Sequence, residues 1–244
     1  MKIADIRNFD QQLKFIAAIL CNFIYGGSKM KGYRLSILRH GMTEANAKGI
    51  YIGKTDTPLS DEGAAQLAAK MDEFDYPTVH RVYSSPLRRC TETAEILFPH
   101  TQICVVDDLR ELDFGIFENK SVDELVKRED YMKWIKGGKD SRPPQGESLQ
   151  ELTARTYKAL HEIITDMMND GLTHCAVITH GGVISNMLSC YGLPKYNPAE
   201  LTADFGEGFD AIATAQMWLN SQAIEILGYC PYEKIQDADD FYSI

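Results

Sequence analysis

The chain lacks the long apolar run that a membrane span requires. Its nearest candidate, Phe15 to Tyr25, is interrupted by Asn22 and falls short of the ~18 residues a spanning helix needs. It also lacks a basic surplus: 35 Asp and Glu stand against 25 Lys and Arg, a net charge of −10. A nucleic-acid backbone favours a basic face, so this balance argues against nucleic acid as a partner. A small anion is still admitted, because a local group of arginines can hold phosphate inside an acidic protein. None of the six cysteines (Cys21, Cys90, Cys104, Cys175, Cys190, Cys230) forms a C-x-x-C pair, which argues against a zinc site. Cys104, Cys175 and Cys190 sit in apolar runs and read as buried thiols, which suits a reducing, cytoplasmic compartment. A secretory leader is poorly supported, since Asp5 and Asp10 occupy what would be its basic region and no A-x-A-like site follows. There is no internal repeat and no low-complexity tract.

What is there is an alternation of short apolar runs and amphipathic segments. Residues 1–32 read as an appended helical extension ending at Gly26-Gly27-Ser28, with Met30 as an alternative start. Residues 33–244 read as the main domain. Arg34–Leu38 is a buried strand. Ser60 caps a helix with Asp61 and Glu62 in its first turn, and Ala64, Leu67, Ala68, Met71 and Phe74 form its apolar stripe. Arg81–Ser84 is a second strand. Ser85-Pro86 starts a helix to about Leu97, with Pro86 in the first turn. Gln102–Val106 is a third strand.

From Asp107 to Gly146 the periodicity loosens, apart from a short helix expected at Ser121–Arg128. Residues 107–147 read as an insertion covering a crevice. Ser148-Leu149-Gln150-Glu151 is a capping box opening a long helix, with Leu149, Leu152, Thr156, Leu160, Ile163 and Met167 on its buried face. Cys175–Thr179 is a strand buried on both faces; a helix follows over Val183–Tyr191. Ala211–Leu219 and Gln222–Leu227 read as a hairpin turning at Asn220-Ser221. The alternation indicates an α/β fold with a largely parallel sheet covered by helices.

The ends of these strands carry similar cargo. The first delivers Arg39 and His40 before Gly41; the second delivers Arg89 one turn into its helix; the later one delivers His180 before Gly181 and Gly182. In open α/β sheets the carboxyl ends of parallel strands form the ligand crevice, so these residues would share one rim. Phosphoryl transfer through a histidine fits this set. Neutral imidazole is a nucleophile at physiological pH and can split one displacement into two. The transferring group needs fixed positive donors, which arginines supply with a planar, permanently charged fork. Asn46 adds an amide donor, and the N–H groups of Gly181 and Gly182 add those of a helix start. No metal or other cofactor is called for. A leaving alkoxide needs a proton, for which Glu111 is the candidate and Asp113 the fallback.

Taken together, Leu38-Arg39-His40-Gly41-x-Thr43-x-x-Asn46, Pro58-Leu59-Ser60-x-x-Gly63, Ser84-Ser85-Pro86-Leu87-Arg88-Arg89-x-x-x-Thr93-Ala94, Arg110-Glu111-Leu112-Asp113-Phe114-Gly115, Gln145-Gly146-Glu147-Ser148 and Thr179-His180-Gly181-Gly182 resemble, in order, the motifs of the histidine phosphatase superfamily, also called the phosphoglycerate-mutase-like family. One position departs from the family's pattern: Gln145 stands where the family has the first glycine of its Gly-Gly-Glu-Ser motif. The resemblance covers roughly Tyr33 to Leu193. It implies a three-layer α/β/α fold with one antiparallel strand. It implies His40 as the phosphorylated nucleophile, with Arg39, Asn46, Arg89 and His180 as the phosphate pocket and Glu111 as the acid. It favours Arg89 over Arg88.

The short segment from Glu111 to Gly115, with Phe117-Glu118, resembles small phosphatases, including α-ribazole and broad-specificity phosphatases, more than the mutases. The expectation is therefore a metal-independent phosphatase acting on a small phosphomonoester. A phosphoglycerate mutase is the alternative, and a non-catalytic phospholigand-binding protein the third. The partner expected is a small phosphorylated substrate, not nucleic acid or membrane, and an edge strand would admit a homodimer.

Overall fold

The computed structural model describes residues 31–234. The expected extension over residues 1–32 lies outside the described residues except for Lys31 and Gly32, and Gly32 already belongs to the first strand. The elements, in chain order, are β1 (Gly32–Arg39), α1 (Asp61–Glu73), β2 (Val82–Ser84), α2 (Arg88–Leu97), β3 (Ile103–Val105), α3 (Val122–Leu125), α4 (Glu129–Lys136), α5 (Leu149–Asp170), β4 (His174–Thr179), α6 (Gly181–Tyr191), β5 (Gly192–Leu193), β6 (Gly208–Thr214), α7 (Ala215–Ser221) and β7 (Ile224–Cys230). Phe74–Asp75 and Tyr232–Glu233 form a separate two-stranded ladder.

The main sheet runs β3-β2-β4-β1-β6-β7-β5. All neighbours pair in parallel except β6, which is antiparallel to both β1 and β7. Period-two alternation sorts the two faces. Leu35 and Ile37 of β1 and Cys175 and Val177 of β4 pack with Leu160, Ile163, Ile184 and Leu188 of α5 and α6. Leu38, Ala176 and Ile178 point the other way, onto Leu67 of α1 and Cys90, Ala94 and Leu97 of α2. The result is the three-layer α/β/α arrangement. Register then sets the rim: Arg39 lies opposite Thr179, and Ser84 opposite Ile178, so the next residues of all three strands emerge together. Among the described residues no helix is long and apolar enough to cross a membrane.

Local chemistry accounts for the helix starts. Ser60 accepts from the Gly63 N–H, and Ser148 and Glu151 form the expected capping box. The structure corrects several sequence readings. The expected strand over Ala211–Leu219 stops at Thr214, whose hydroxyl caps α7 by accepting from the Met217 N–H. Asn220-Ser221 is the end of that helix, not a hairpin turn, and the next strand is Ile224–Cys230 rather than Gln222–Leu227. A run this short fits either period, and burial of Trp218 beside an exposed Leu219 is satisfied by a helix.

The helix expected at Ser121–Arg128 shrinks to α3, and α4 forms within the segment read as loose. Pro86 precedes α2, whose N-cap is Leu87, so the proline is outside the first turn. Ala68 and Leu149 are exposed, not buried, because each sits at the flank of its apolar stripe. Cys190 is exposed and Cys104 half-buried; of the three thiols read as buried only Cys175 is so, while Cys90 and Cys230 are buried too.

Candidate active site

His40 leaves the end of β1 with its backbone N–H donated to the Thr179 carbonyl at 2.9 Å. Its side chain is buried, and ring Nδ1 lies 2.6 Å from the Gly41 carbonyl. A carbonyl only accepts, so Nδ1 carries the proton and Nε2 presents a lone pair. Burial, then the charges of Arg89 and Arg39, hold its pKa well below the ordinary histidine value. The imidazole is therefore neutral at pH 7.

His180 follows β4 and is fully buried. The two rings meet edge to face with centroids 5.1 Å apart. The Nδ1 of His180 accepts from Arg89 Nε at 3.3 Å, and its Nε2–H donates to Ser85 Oγ at 2.9 Å. Burial, followed by the nearby His40 and Arg89, keeps this imidazole neutral as well.

Arg89, in the first turn of α2, is fully buried. Beyond His180 it donates to two loop carbonyls, Thr55 at 2.9 Å and Gly53 at 2.8 Å. Arg39 donates to the Ala203 carbonyl at 2.9 Å, and its guanidinium lies 4.0 Å from the centre of the Phe205 ring. Its Nε is buried without a hydrogen-bond partner. Neither arginine has an ion pair among the described residues, whereas the neighbouring Arg88 pairs with Glu92 at 2.9 Å. Burial pulls both guanidinium pKa values down from their ordinary value. Two desolvated cations without carboxylates are costly to a fold, a cost that a bound anion would offset.

Glu111 approaches from the segment between β3 and α3. One carboxylate oxygen accepts from the Leu112 N–H at 2.9 Å and the other from the Gly182 N–H at 3.2 Å. Burial raises its pKa, against the pull of those N–H groups and of Arg89 and Arg155. A carboxyl shifted upward holds its proton nearer neutral pH, as a general acid must. Gly181, one residue earlier in α6, faces Arg39: a methyl group there would lie 3.5 Å from Arg39 Nε. Arg39 and Glu111 therefore flank the same helix start, which begins where His180 ends.

Asn46 sits in the one-turn helix Glu44–Ala47. Its side-chain oxygen accepts from the Thr43 N–H at 3.1 Å and the Thr43 hydroxyl at 2.9 Å, which leaves the amide hydrogens to donate. Asp113, the fallback acid, is engaged elsewhere: Lys54 Nζ at 2.9 Å and the Gly115 N–H at 2.8 Å.

Sequence reasoning did not assign Ser85, Phe205, Arg155 or the Gly53 and Thr55 carbonyls to the site. It noted Glu118 only as part of a motif. The Glu118 carboxylate accepts from the N–H groups of Gly53 (2.9 Å), Lys54 (3.1 Å), Thr55 (3.3 Å) and Phe114 (3.2 Å). It thereby fixes the loop whose carbonyls hold Arg89. Among the described residues no cluster of three or more His, Cys, Asp or Glu is arranged to hold a metal ion.

Gly182 gives a sharp prediction. The nearest atoms to a methyl group at this position are all of Glu111: Oε1 at 2.6 Å, Cδ at 3.3 Å and Oε2 at 3.4 Å. Gly182→Ala should push the carboxylate aside and lower kcat/KM by about tenfold or more, part of what a general acid contributes. The melting temperature should hardly move, because no core atom is displaced. Full activity in that variant would mean that the carboxylate's placement is irrelevant to turnover.

The fold and site together define a class: an α/β/α protein that gathers two neutral histidines and two unpaired arginines at the carboxyl rim of a parallel sheet. The chain belongs to the histidine phosphatase superfamily (branch 1), whose family model matches residues 35–203. It is 32% identical over 165 residues to a Serratia proteamaculans protein named "Probable phosphoglycerate mutase GpmB", covering 66% of this chain and 75% of that one. The α-ribazole phosphatase of Shigella flexneri matches with a TM-score of 0.68 at 22% identity, over 84% of this chain and 100% of that one. A phosphoglycerate mutase from Bacillus anthracis matches with a TM-score of 0.61 at 19% identity, over 84% and 93%. At these identities the two structures speak for the fold. The chain's relatives and structural neighbours thus include both phosphatases and phosphoglycerate mutases.

Proposed function

We propose that the protein hydrolyses a small phosphomonoester without a metal, through a phosphohistidine on His40. The observation that carries this reading is the pair of guanidiniums, Arg39 and Arg89, left without carboxylate partners beside two neutral imidazoles. Nε2 of His40 attacks phosphorus, and the phosphorus–oxygen bond to the leaving group breaks. Glu111 gives its proton to the departing oxygen. Water then attacks the phosphoryl group, the phosphorus–nitrogen bond breaks, and Glu111 takes a proton back. Arg39, Arg89, the Asn46 amide and the Gly181 N–H hold the phosphoryl oxygens, with His180 completing the pocket. His180 can donate only if its ring changes partner, since its one N–H is given to Ser85.

Phosphoglycerate mutase activity is the second reading, favoured by the names of the relatives at about a third identity. Against it, cations flanking the site are matched: Lys54 with Asp113 and Arg110 with Asp107, each at 2.9 Å. A glycerate carboxylate would share these cations with carboxylates already in place.

A panel of phosphorylated metabolites, including 3-phosphoglycerate, assayed with chelator present, separates the readings. Free phosphate should appear with chelator present. Isomerised phosphoglycerate without phosphate release would establish the mutase instead, and turnover lost on chelation would end the metal-independent scheme.

A further inference from the structure

The motif Gln145-Gly146-Glu147-Ser148 has no part in the chemistry above. Glu147 immediately precedes the N-cap of α5, and its carboxylate takes two parallel bonds from Arg155: Nε to Oε1 at 2.7 Å and Nη2 to Oε2 at 2.8 Å. The remaining donors of Arg155 go to the backbone before and at the acid. Nη1 donates to the carbonyls of Asp108 at 2.8 Å and Arg110 at 2.5 Å, and Nη2 to that of Glu111 at 3.0 Å. All five N–H groups of the guanidinium are therefore used. The pair is largely out of solvent, with side-chain exposures of 13% and 16%.

The connection is closed from the other strand of the loop as well. The Glu147 N–H donates to the Asp113 carbonyl at 2.9 Å. Glu111 itself lies in irregular backbone, between the 3-10 turns Asp107–Leu109 and Gly115–Phe117, so no helix or strand ladder fixes its angles. Its carboxylate is aimed by Gly182 and Leu112, while its peptide group is bolted to a helix of 22 residues. A planar, bidentate fork suits this task where a lysine would not.

We infer that Arg155, held in orientation by Glu147, is a positioning residue for the proton donor Glu111. The inference rests on the reading of Glu111 as the general acid. It predicts a defect confined to the steps in which Glu111 moves a proton, with the phosphate grip of Arg39 and Arg89 unaffected.

The test compares two esters in the full-length chain: an alkyl phosphate, whose leaving oxygen needs protonation, and p-nitrophenyl phosphate, whose leaving group departs unaided. The quantity is kcat/KM, which reports phosphoryl transfer to the enzyme and not the later hydrolysis, where Glu111 is needed for both esters. For Arg155→Lys we expect a loss of roughly 100-fold with the alkyl ester, the lower end of general-acid effects. Loss with p-nitrophenyl phosphate should be small, and inhibition by inorganic phosphate unchanged. Glu147→Gln, which keeps the side chain's shape, should show the same asymmetry more weakly and guards against misfolding of the first variant. Equal losses on both esters, or weakened phosphate inhibition, would overturn the inference and leave Arg155 a structural strut. Glu111→Gln is the control that separates the two ideas: if it shows no leaving-group dependence, the general-acid reading itself fails.

Discussion

Replacing His40 with alanine should abolish turnover, with a fall on the order of 10⁵-fold or more in kcat, as loss of a covalent nucleophile does elsewhere. No neighbour can stand in. Both ring nitrogens of His180 are engaged, with Arg89 and with Ser85. The Cys90 thiol is nearby, yet burial pushes its pKa far up, so it stays protonated. Ser85 has no base to activate it, because the ring nitrogen facing it carries the proton. The fold should survive the change. The His40 side chain makes one hydrogen bond, to the carbonyl of its own neighbour, and such a bond contributes about 1 kcal/mol. Acid-stable and acid-labile phosphoenzyme can be told apart after quenching with labelled substrate. Wild type should carry an acid-labile label, and the variant none. A variant keeping a tenth of the wild-type rate would remove His40 from the mechanism.

The second large effect concerns Arg89. Arg89→Met keeps most of the volume and removes the charge. Loss of a transition-state arginine costs roughly 10³- to 10⁵-fold in phosphoryl transfer, and kcat/KM should fall by that order. Stability should respond differently, because two terms oppose each other. The Gly53 and Thr55 carbonyls and the Nδ1 of His180 lose their donor, at about 1–3 kcal/mol for each group left buried and unpaired. Against this, a buried and uncompensated cation disappears, which is often favourable by a comparable amount. The melting temperature in phosphate-free buffer should therefore change far less than the activity. What should vanish is the gain on adding phosphate. A site filled at a hundred times its Kd stabilises by about 2.7 kcal/mol, and the variant should show little of it. A phosphate-induced shift as large as that of wild type would place the anion somewhere else.

Much of this site was legible because of where its residues fall in the chain. Strands buried on both faces read as unbroken apolar runs, so the ends of β1 and β4 announced themselves, and His40 and His180 stood out as polar residues terminating them. Glu111 followed from the need for a proton donor, but Asp113 stood beside it as a fallback, since nothing in an irregular segment's local pattern separates two neighbouring carboxylates. Arg155 was invisible for a physical reason. On a helix it occupies a polar position like any surface cation, and besides the Glu147 carboxylate its partners are three carbonyl oxygens, which every residue type possesses. Glu118 has the mirror-image disguise, a carboxylate whose partners are mostly backbone N–H groups. The helix α7 was misread because a short apolar run carries no decisive period, and the Thr214 cap that ends the strand looks ordinary in sequence.

The reversed direction of β6 has a further consequence. Every other strand that reaches the rim brings what comes after it. β6 enters at Gly208, opposite Leu38, and so brings what comes before it: Ala203, which receives Arg39, and Phe205, which covers it. A change of length or composition in the stretch leading into β6 would therefore reach Arg39 without altering the strand that carries it. One wall of the chamber is thus hung on a strand that runs against all the others, and it approaches the first arginine from the opposite side.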